Sequence, residues 1–126
     1  MVKGRMDVVY PELESHERVL LTDPADYLDF VALMRNAEFI ISDSGGVQEE
    51  APALGKPVLV LRKTTERPEA MTSGVAKLIG TREEDVFSYA NELIVNPKVY
   101  QRMSKASNPF GDGTASEAIA AALNQY

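Results

Sequence analysis

Ser44, Gly45, Gly46, Glu49 and Glu50 fall within a few positions of one another, directly after the apolar run Phe39-Ile40-Ile41. A hydroxyl and two glycines at the point where a strand hands over to a helix suit a phosphate. The first N–H groups of a helix have no intrahelical acceptor, and the helix dipole adds positive potential there. Gly45 and Gly46 let the backbone approach an anion with no Cβ in the way. Ser44 can donate its hydroxyl to the phosphate or cap the helix. Glu50, one turn further in, is placed to accept from ribose hydroxyls beyond the phosphates. The same residues also fit a plainer role, with Ser44 an N-cap, Gly45-Gly46 a tight turn, and Glu49 and Glu50 complements of the helix dipole. The stretch is neither a G-x-G-x-x-G nor a P-loop pattern, so its local form leaves both roles open.

A second group of residues follows the next apolar run. Arg62, Lys63 and Arg67 concentrate positive charge in the loop Arg62–Pro68 of an otherwise acidic chain. Arg67 can offer two parallel N–H groups to a phosphate, or pair with Glu66 or Glu69. A solvated loop is the simpler account, although Pro68 restricts the backbone after Arg67. Phe30 has helical spacing with Tyr27, Val31 and Met34, which fits a core position as readily as a nucleobase contact. Asp43-Ser44-Gly45-Gly46 also matches the nucleophile motif of trypsin-like serine proteases. That motif belongs to all-β domains and does not open a helix, and the sole candidate base here is His16. A phosphoacceptor role for Asp43 lacks the acidic pair expected near a first strand.

The 126 residues, 44% hydrophobic and 25% charged, describe one globular domain. With 13 basic and 19 acidic residues the net charge is −6, so neither nucleic acid nor a membrane surface is an expected partner. No apolar run approaches the ~20 residues of a membrane span, and no apolar stretch follows the basic residues at the start, so no secretory signal is expected. There is no Cys, which removes disulfides and thiolate metal sites. With a single His a His-rich metal cluster is impossible and a His-based catalytic triad would depend on that one residue; the cytoplasm is the expected location.

The elements that must carry these residues alternate between β-branched runs and amphipathic helices. Strands are expected at Arg18–Leu21, Glu38–Ser42, Val58–Leu61 and Val75–Ile79, with a less readable one at Met6–Tyr10. Helices are expected from Asp23-Pro24, with Tyr27, Phe30, Val31 and Met34 on one buried face, and from Val47 to about Leu54. Gly55 sits at the C′ position of the latter. A Thr81–Glu84 capping box opens another, a further one runs from Pro97 to Ala106, and a Thr114–Glu117 box opens the last. Asn108–Gly113 is turn chemistry. The alternation predicts a three-layer α/β/α sandwich, Rossmann-like, with a mostly parallel sheet of about four strands.

Five collinear blocks give the chain a family likeness: Thr22–Pro24, Asp43–Pro52, Leu54–Arg62, Thr64–Glu69 and Asn108–Gly113. They resemble the C-terminal half of bacterial non-hydrolysing UDP-N-acetylglucosamine 2-epimerases, over about Leu20–Leu123. The resemblance implies one half of a glycosyltransferase-B fold, in which UDP or UDP-GlcNAc binds between two Rossmann-like domains. It implies that Ser44, Gly45 and Gly46 hold the pyrophosphate, Glu50 the ribose hydroxyls and Phe30 the uracil side, with Arg67 facing the phosphates or sugar. The implied reaction eliminates UDP to a 2-acetamidoglucal and re-adds it with C2 inverted, without metal or redox cofactor. The N-terminal half, with most of the carboxylates proposed for C2 proton transfer, has no counterpart here, nor does the His-Arg-Arg-Glu-Asn segment. Met1–Glu17 does not match the His-x-Asn-Pro region. The expected organisation is therefore a poorly matched segment at 1–17 and one UDP-sugar-binding domain at 18–126, inactive alone. Its partner would be a missing N-terminal half or a second copy, with the stripe Ala118, Ile119, Ala122 and Leu123 either exposed or buried between copies. The alternatives are the donor-binding half of a split glycosyltransferase, against which the Thr65–Glu69 block argues, and a non-catalytic UDP-sugar-binding module.

Overall fold

The computed structural model describes residues 11–125. The chain divides into two compact units, Met1–Phe30 and Val31–Tyr126. The expected strand at Met6–Tyr10 lies outside the described residues. Helix α1 (Tyr27–Asn36) is followed by β1 (Ile40–Ser42), α2 (Gly45–Ala53), β2 (Val58–Val60), α3 (Pro68–Ser73), β3 (Ala76–Leu78), α4 (Glu83–Val95), α5 (Pro97–Ser104) and α6 (Ala115–Leu123).

The three strands form a parallel sheet in the order β1-β2-β3, with Ser42 opposite Val60 and Val60 opposite Leu78. Central β2 is buried throughout, because both of its faces are covered by helices. Val58 and Val60 point to one side, into a core with Met34 of α1, Val47 and Ala51 of α2, and Ala70 of α3. Leu59 points to the other, against Ile79, Leu93 of α4 and Met103 of α5, as the two-residue period of a strand requires. This is the expected Rossmann-like α/β/α sandwich. Because β1 and β2 run parallel, their carboxyl ends open on the same rim of the sheet. Leu61 N–H donates to Ser42 O at 3.0 Å and carries that alignment into the two following loops.

Several local expectations need correction. Arg18–Leu21 forms no strand. An apolar run becomes a strand only with a ladder partner, and Leu20 remains 85% exposed, so the described sheet has three strands. The first long helix begins at Tyr27, not after Pro24, and Asp26 Oδ1 accepts from Asp29 N–H at 3.0 Å in its first turn. On that helix Met34 is buried, whereas Tyr27 is exposed and Phe30 is 39% exposed, so its first turn is not part of a buried face. Neither capping box forms. Arg82 occupies the N-cap of α4 with no side-chain cap, and three acidic residues in the first turn complement the dipole instead. The Thr114 hydroxyl donates to Asp112, which leaves the start of α6 without a side-chain cap.

Helix α3 was not anticipated; it lies where a loop runs into the third strand. Its ends carry ordinary signals, Pro68 in the first turn and Gly74 in the left-handed conformation at φ 84°. The Asn108–Gly113 turn forms as expected, with Asn108 Nδ2 donating to Gly111 O at 2.8 Å. The stripe of α6 is exposed, with Ile119 at 61% and Leu123 at 69%.

Candidate functional site

Strand β1 ends at Ser42, and its hydroxyl accepts from the Ser44 N–H at 3.1 Å, which turns the chain sharply into α2. Ser44 is extended (φ −74°, ψ 130°), and its Oγ accepts from Val47 N–H at 3.4 Å. The plainer role for Ser44 is therefore realised: it caps the helix. Helix α2 itself starts at Gly45, two residues earlier than the apolar pattern indicates, so the amides of Gly45 and Gly46 are the first of the helix and have no intrahelical acceptor.

The tight-turn account of Gly45-Gly46 fails. Among the described residues five other glycines have positive φ, but neither of these does. A Cβ on Gly45 would meet only Arg67 Nη2, at 3.9 Å. One on Gly46 would meet Ser44 Oγ at 3.8 Å and Glu50 Oε1 at 4.0 Å, all ordinary contacts. The fold has room for side chains at both positions. These distances also gather the predicted residues: Ser44, Gly46 and half-buried Glu50 adjoin one another, and the Arg67 guanidinium reaches across from the loop after β2 to Gly45.

Arg67 makes the expected pair with Glu66 and adds a partner that was not expected, Glu49. Its Nε–H donates to Glu49 Oε1, and its Nη1 donates to Glu66 O at 3.3 Å and lies 3.7 Å from Glu66 Oε2. Glu49 is therefore the arginine's partner and not merely a complement to the helix dipole. The hydrogen bond to Glu49, with the attraction of its charge next, raises the Arg67 pKa above its already high ordinary value, so the guanidinium stays charged at any accessible pH. An ion pair this accessible contributes little to stability, and its effect is on where the guanidinium points.

Two residues at the site were assigned no role from the sequence. Gln48 is 1% exposed, and Thr65 Oγ1 donates to its Oε1 at 2.6 Å. The legible signal was an amide on the buried face of a helix, next to Val47 and one turn before Ala51. Phe30 belongs to the other compact unit and is not among the residues this cluster gathers. A separate cavity of about 310 Å³, lined by Leu59, Lys77, Tyr89, Leu93 and Met103 among others, shares no residue with the cluster. Among the described residues no group of His, Cys, Asp and Glu is arranged to hold a metal, and no helix is long and apolar enough to cross a membrane.

The profile of the UDP-N-acetylglucosamine 2-epimerase family matches residues 3–124. The UDP-N-acetylglucosamine 2-epimerase of Bacillus subtilis is 54% identical over 103 residues, which are 82% of this chain and 27% of that protein. The UDP-GlcNAc 2-epimerase of Neisseria meningitidis, solved bound to UDP-GlcNAc, superposes with a TM-score of 0.86 at 46% identity over 99% of this chain and 33% of its own. The S. aureus MnaA structure with UDP gives a TM-score of 0.88 at 48% identity, over 98% and 34%. The chain thus spans about a third of the length of the relatives it matches. It belongs to the UDP-N-acetylglucosamine 2-epimerase family, to whose C-terminal part it corresponds.

Proposed function

We propose that the cluster at the carboxyl ends of β1 and β2 holds the UDP of a UDP-sugar, and that the chain is the UDP-binding part of a UDP-N-acetylglucosamine 2-epimerase. The observation that carries this reading is the pair Gly45-Gly46. Glycine in a helix costs about 0.5–1 kcal/mol relative to alanine. Here neither backbone conformation nor packing demands it. A ligand that must come close to the first helical amides does demand it. Family membership supplies the ligand's identity, since relatives have been solved with UDP and with UDP-GlcNAc.

In this reading the Gly45 and Gly46 amides, the Ser44 hydroxyl and the Arg67 guanidinium face the diphosphate. Glu50 accepts from the ribose hydroxyls. In the complete reaction the proton leaves C2 and the bond from C1 to the UDP oxygen breaks, giving UDP and a 2-acetamidoglucal. UDP then adds back to C1 as a proton returns to the opposite face of C2. The residues of this chain stabilise the charge that develops on the leaving diphosphate, and donors fixed in advance do so most effectively. Proton transfer at C2 falls to carboxylates elsewhere in the enzyme, so this chain alone binds UDP and does not interconvert sugars. The setting is the cytoplasm, in the supply of precursors for cell-surface polysaccharide.

Calorimetric titration of UDP into the 126-residue chain tests the reading, with Glu50→Ala beside it. With part of the cleft absent, the expected Kd is about 0.1–1 mM, or roughly −4 to −5.5 kcal/mol, weakened about tenfold or more by Glu50→Ala. A folded chain that takes up no UDP overturns the proposal. Interconversion of UDP-GlcNAc and UDP-ManNAc by the pure chain overturns its division of labour.

A further inference from the structure

We infer that Gln48 is a positioning residue whose buried amide ties the Ser44–Gly46 turn to the loop carrying Arg67, so that both phosphate-facing arms hang on one hydrogen-bonded relay. The inference rests on the nucleotide reading above and adds residues that reading does not use. Arg67 N–H donates to Thr65 Oγ1 at 2.9 Å, Thr65 Oγ1 donates to Gln48 Oε1 at 2.6 Å, and Gln48 Nε2 donates to Ser44 O at 3.3 Å. The directions are mutually fixed. Ser44 O can only accept, so the amide nitrogen of Gln48 faces it and the amide oxygen faces Thr65. The Thr65 hydroxyl has one proton, which it gives to Gln48 while accepting from Arg67.

Packing alone does not call for an amide at this position. Gln48 lies at 1% exposure, where an apolar side chain of the same length would fill the space without desolvating polar atoms. What the amide adds is a link between segments 17 residues apart in sequence, one ending at the helix amides and the other at the guanidinium. Glu49, the next residue on the same helix, takes the Arg67 Nε–H. The arginine is thus held at its backbone through Gln48 and at its side chain through Glu49. A diphosphate settling on the Gly45 and Gly46 amides then finds the guanidinium already in place, and less of the binding energy goes to ordering the loop.

The test uses the 126-residue chain, with UDP as the probe and two readouts. One is UDP affinity; the other is the Arg67 Nε–H signal in ¹⁵N spectra without ligand, identified by its loss in Arg67→Lys. In the native chain that proton is expected to exchange slowly with water. Thr65→Val should lower UDP affinity about tenfold and remove the slow exchange, and Thr65→Ser should restore both. Gln48→Met should match Thr65→Val, and the double variant should lose no more than either single one, because both act through one relay. Should Gln48→Met not fold, the two Thr65 variants carry the test. Native-like affinity in Thr65→Val overturns the inference, as does a roughly hundredfold loss in the double variant. A native chain that binds no UDP overturns the nucleotide reading and the inference with it. The first two results, obtained with a native chain that binds, overturn the relay alone.

Discussion

Replacing Gly45 by alanine should make the protein more stable and its ligand binding worse. Gly45 is the first residue of α2, has no positive φ, and has no neighbour closer than Arg67 Nη2 at 3.9 Å to an added Cβ. Alanine should therefore gain about 0.5 kcal/mol, the low end of the glycine-to-alanine difference, since the first turn is less constrained than a helix interior. For a chain of this size that raises Tm by about 2–3 °C. The new methyl would sit 3.9 Å from Arg67 Nη2. A phosphate oxygen seated between the Gly45 amide and Nη2, at about 2.8 Å from each, would be crowded against that methyl, at or inside the ~3.5 Å of normal contact. One charge-assisted hydrogen bond is then lost, about 1.5–3 kcal/mol, or roughly tenfold to a hundredfold in Kd. Gly74→Ala is the control. Its φ of 84° with open space around the Cβ position should cost about 1 kcal/mol and leave UDP binding unchanged. Thermal unfolding by circular dichroism and UDP calorimetry on the three chains decide the matter. If Gly45→Ala destabilises as Gly74→Ala does, the glycine serves the fold. If it binds UDP as the native chain does, the phosphate does not sit on this helix start.

Two further outcomes follow from the packing and the turn before α6. Leu59→Ala, at 1% exposure in the central strand, should cost about 2–5 kcal/mol in urea unfolding; a loss below about 1 kcal/mol would mean that the α4–α5 side of the sheet is not a packed core. Asp112 accepts from Thr114 N–H at 3.0 Å and from the Thr114 hydroxyl, and the hydroxyl bond first, then the amide bond, lowers its pKa. A carboxylate with a depressed folded pKa stabilises fully above its unfolded value, near 3.9, and loses that contribution as pH falls through the folded value. The Thr114 amide resonance should therefore titrate with a midpoint below about 3.9, and a midpoint above it would refute the contact.

Much of the molecule was readable because its signals are local. Val58–Val60 is uniformly apolar and becomes the buried central strand, since only a strand covered on both faces tolerates such a run. Gly55 and the Asn108–Gly113 turn carry their backbone preferences in their own chemistry. The Ser44–Glu50 stretch was legible as a strand-to-helix turn with residues suited to an anion, and the order of the family blocks was legible as a likeness.

Other features depended on which groups meet. Arg18–Leu21 has the composition of a strand without a ladder partner. Thr81 and Thr114 have the spacing of capping boxes, but Arg82 holds one N-cap and Asp112 claims the other hydroxyl. The sequence by itself determined the α/β alternation, the strand-to-helix turn around Ser44 and the concentration of charge around Arg67. Only the tertiary structure decided that Glu49, not Glu66 or Glu69, holds the Arg67 Nε, that Gln48 reaches Thr65, and that Gly45 and Gly46 are glycines the fold does not require. The physical reason is range: turn, cap and periodicity preferences act over a few residues, whereas these partners lie 17 and 18 residues apart and meet because β1 and β2 run parallel and open on one rim.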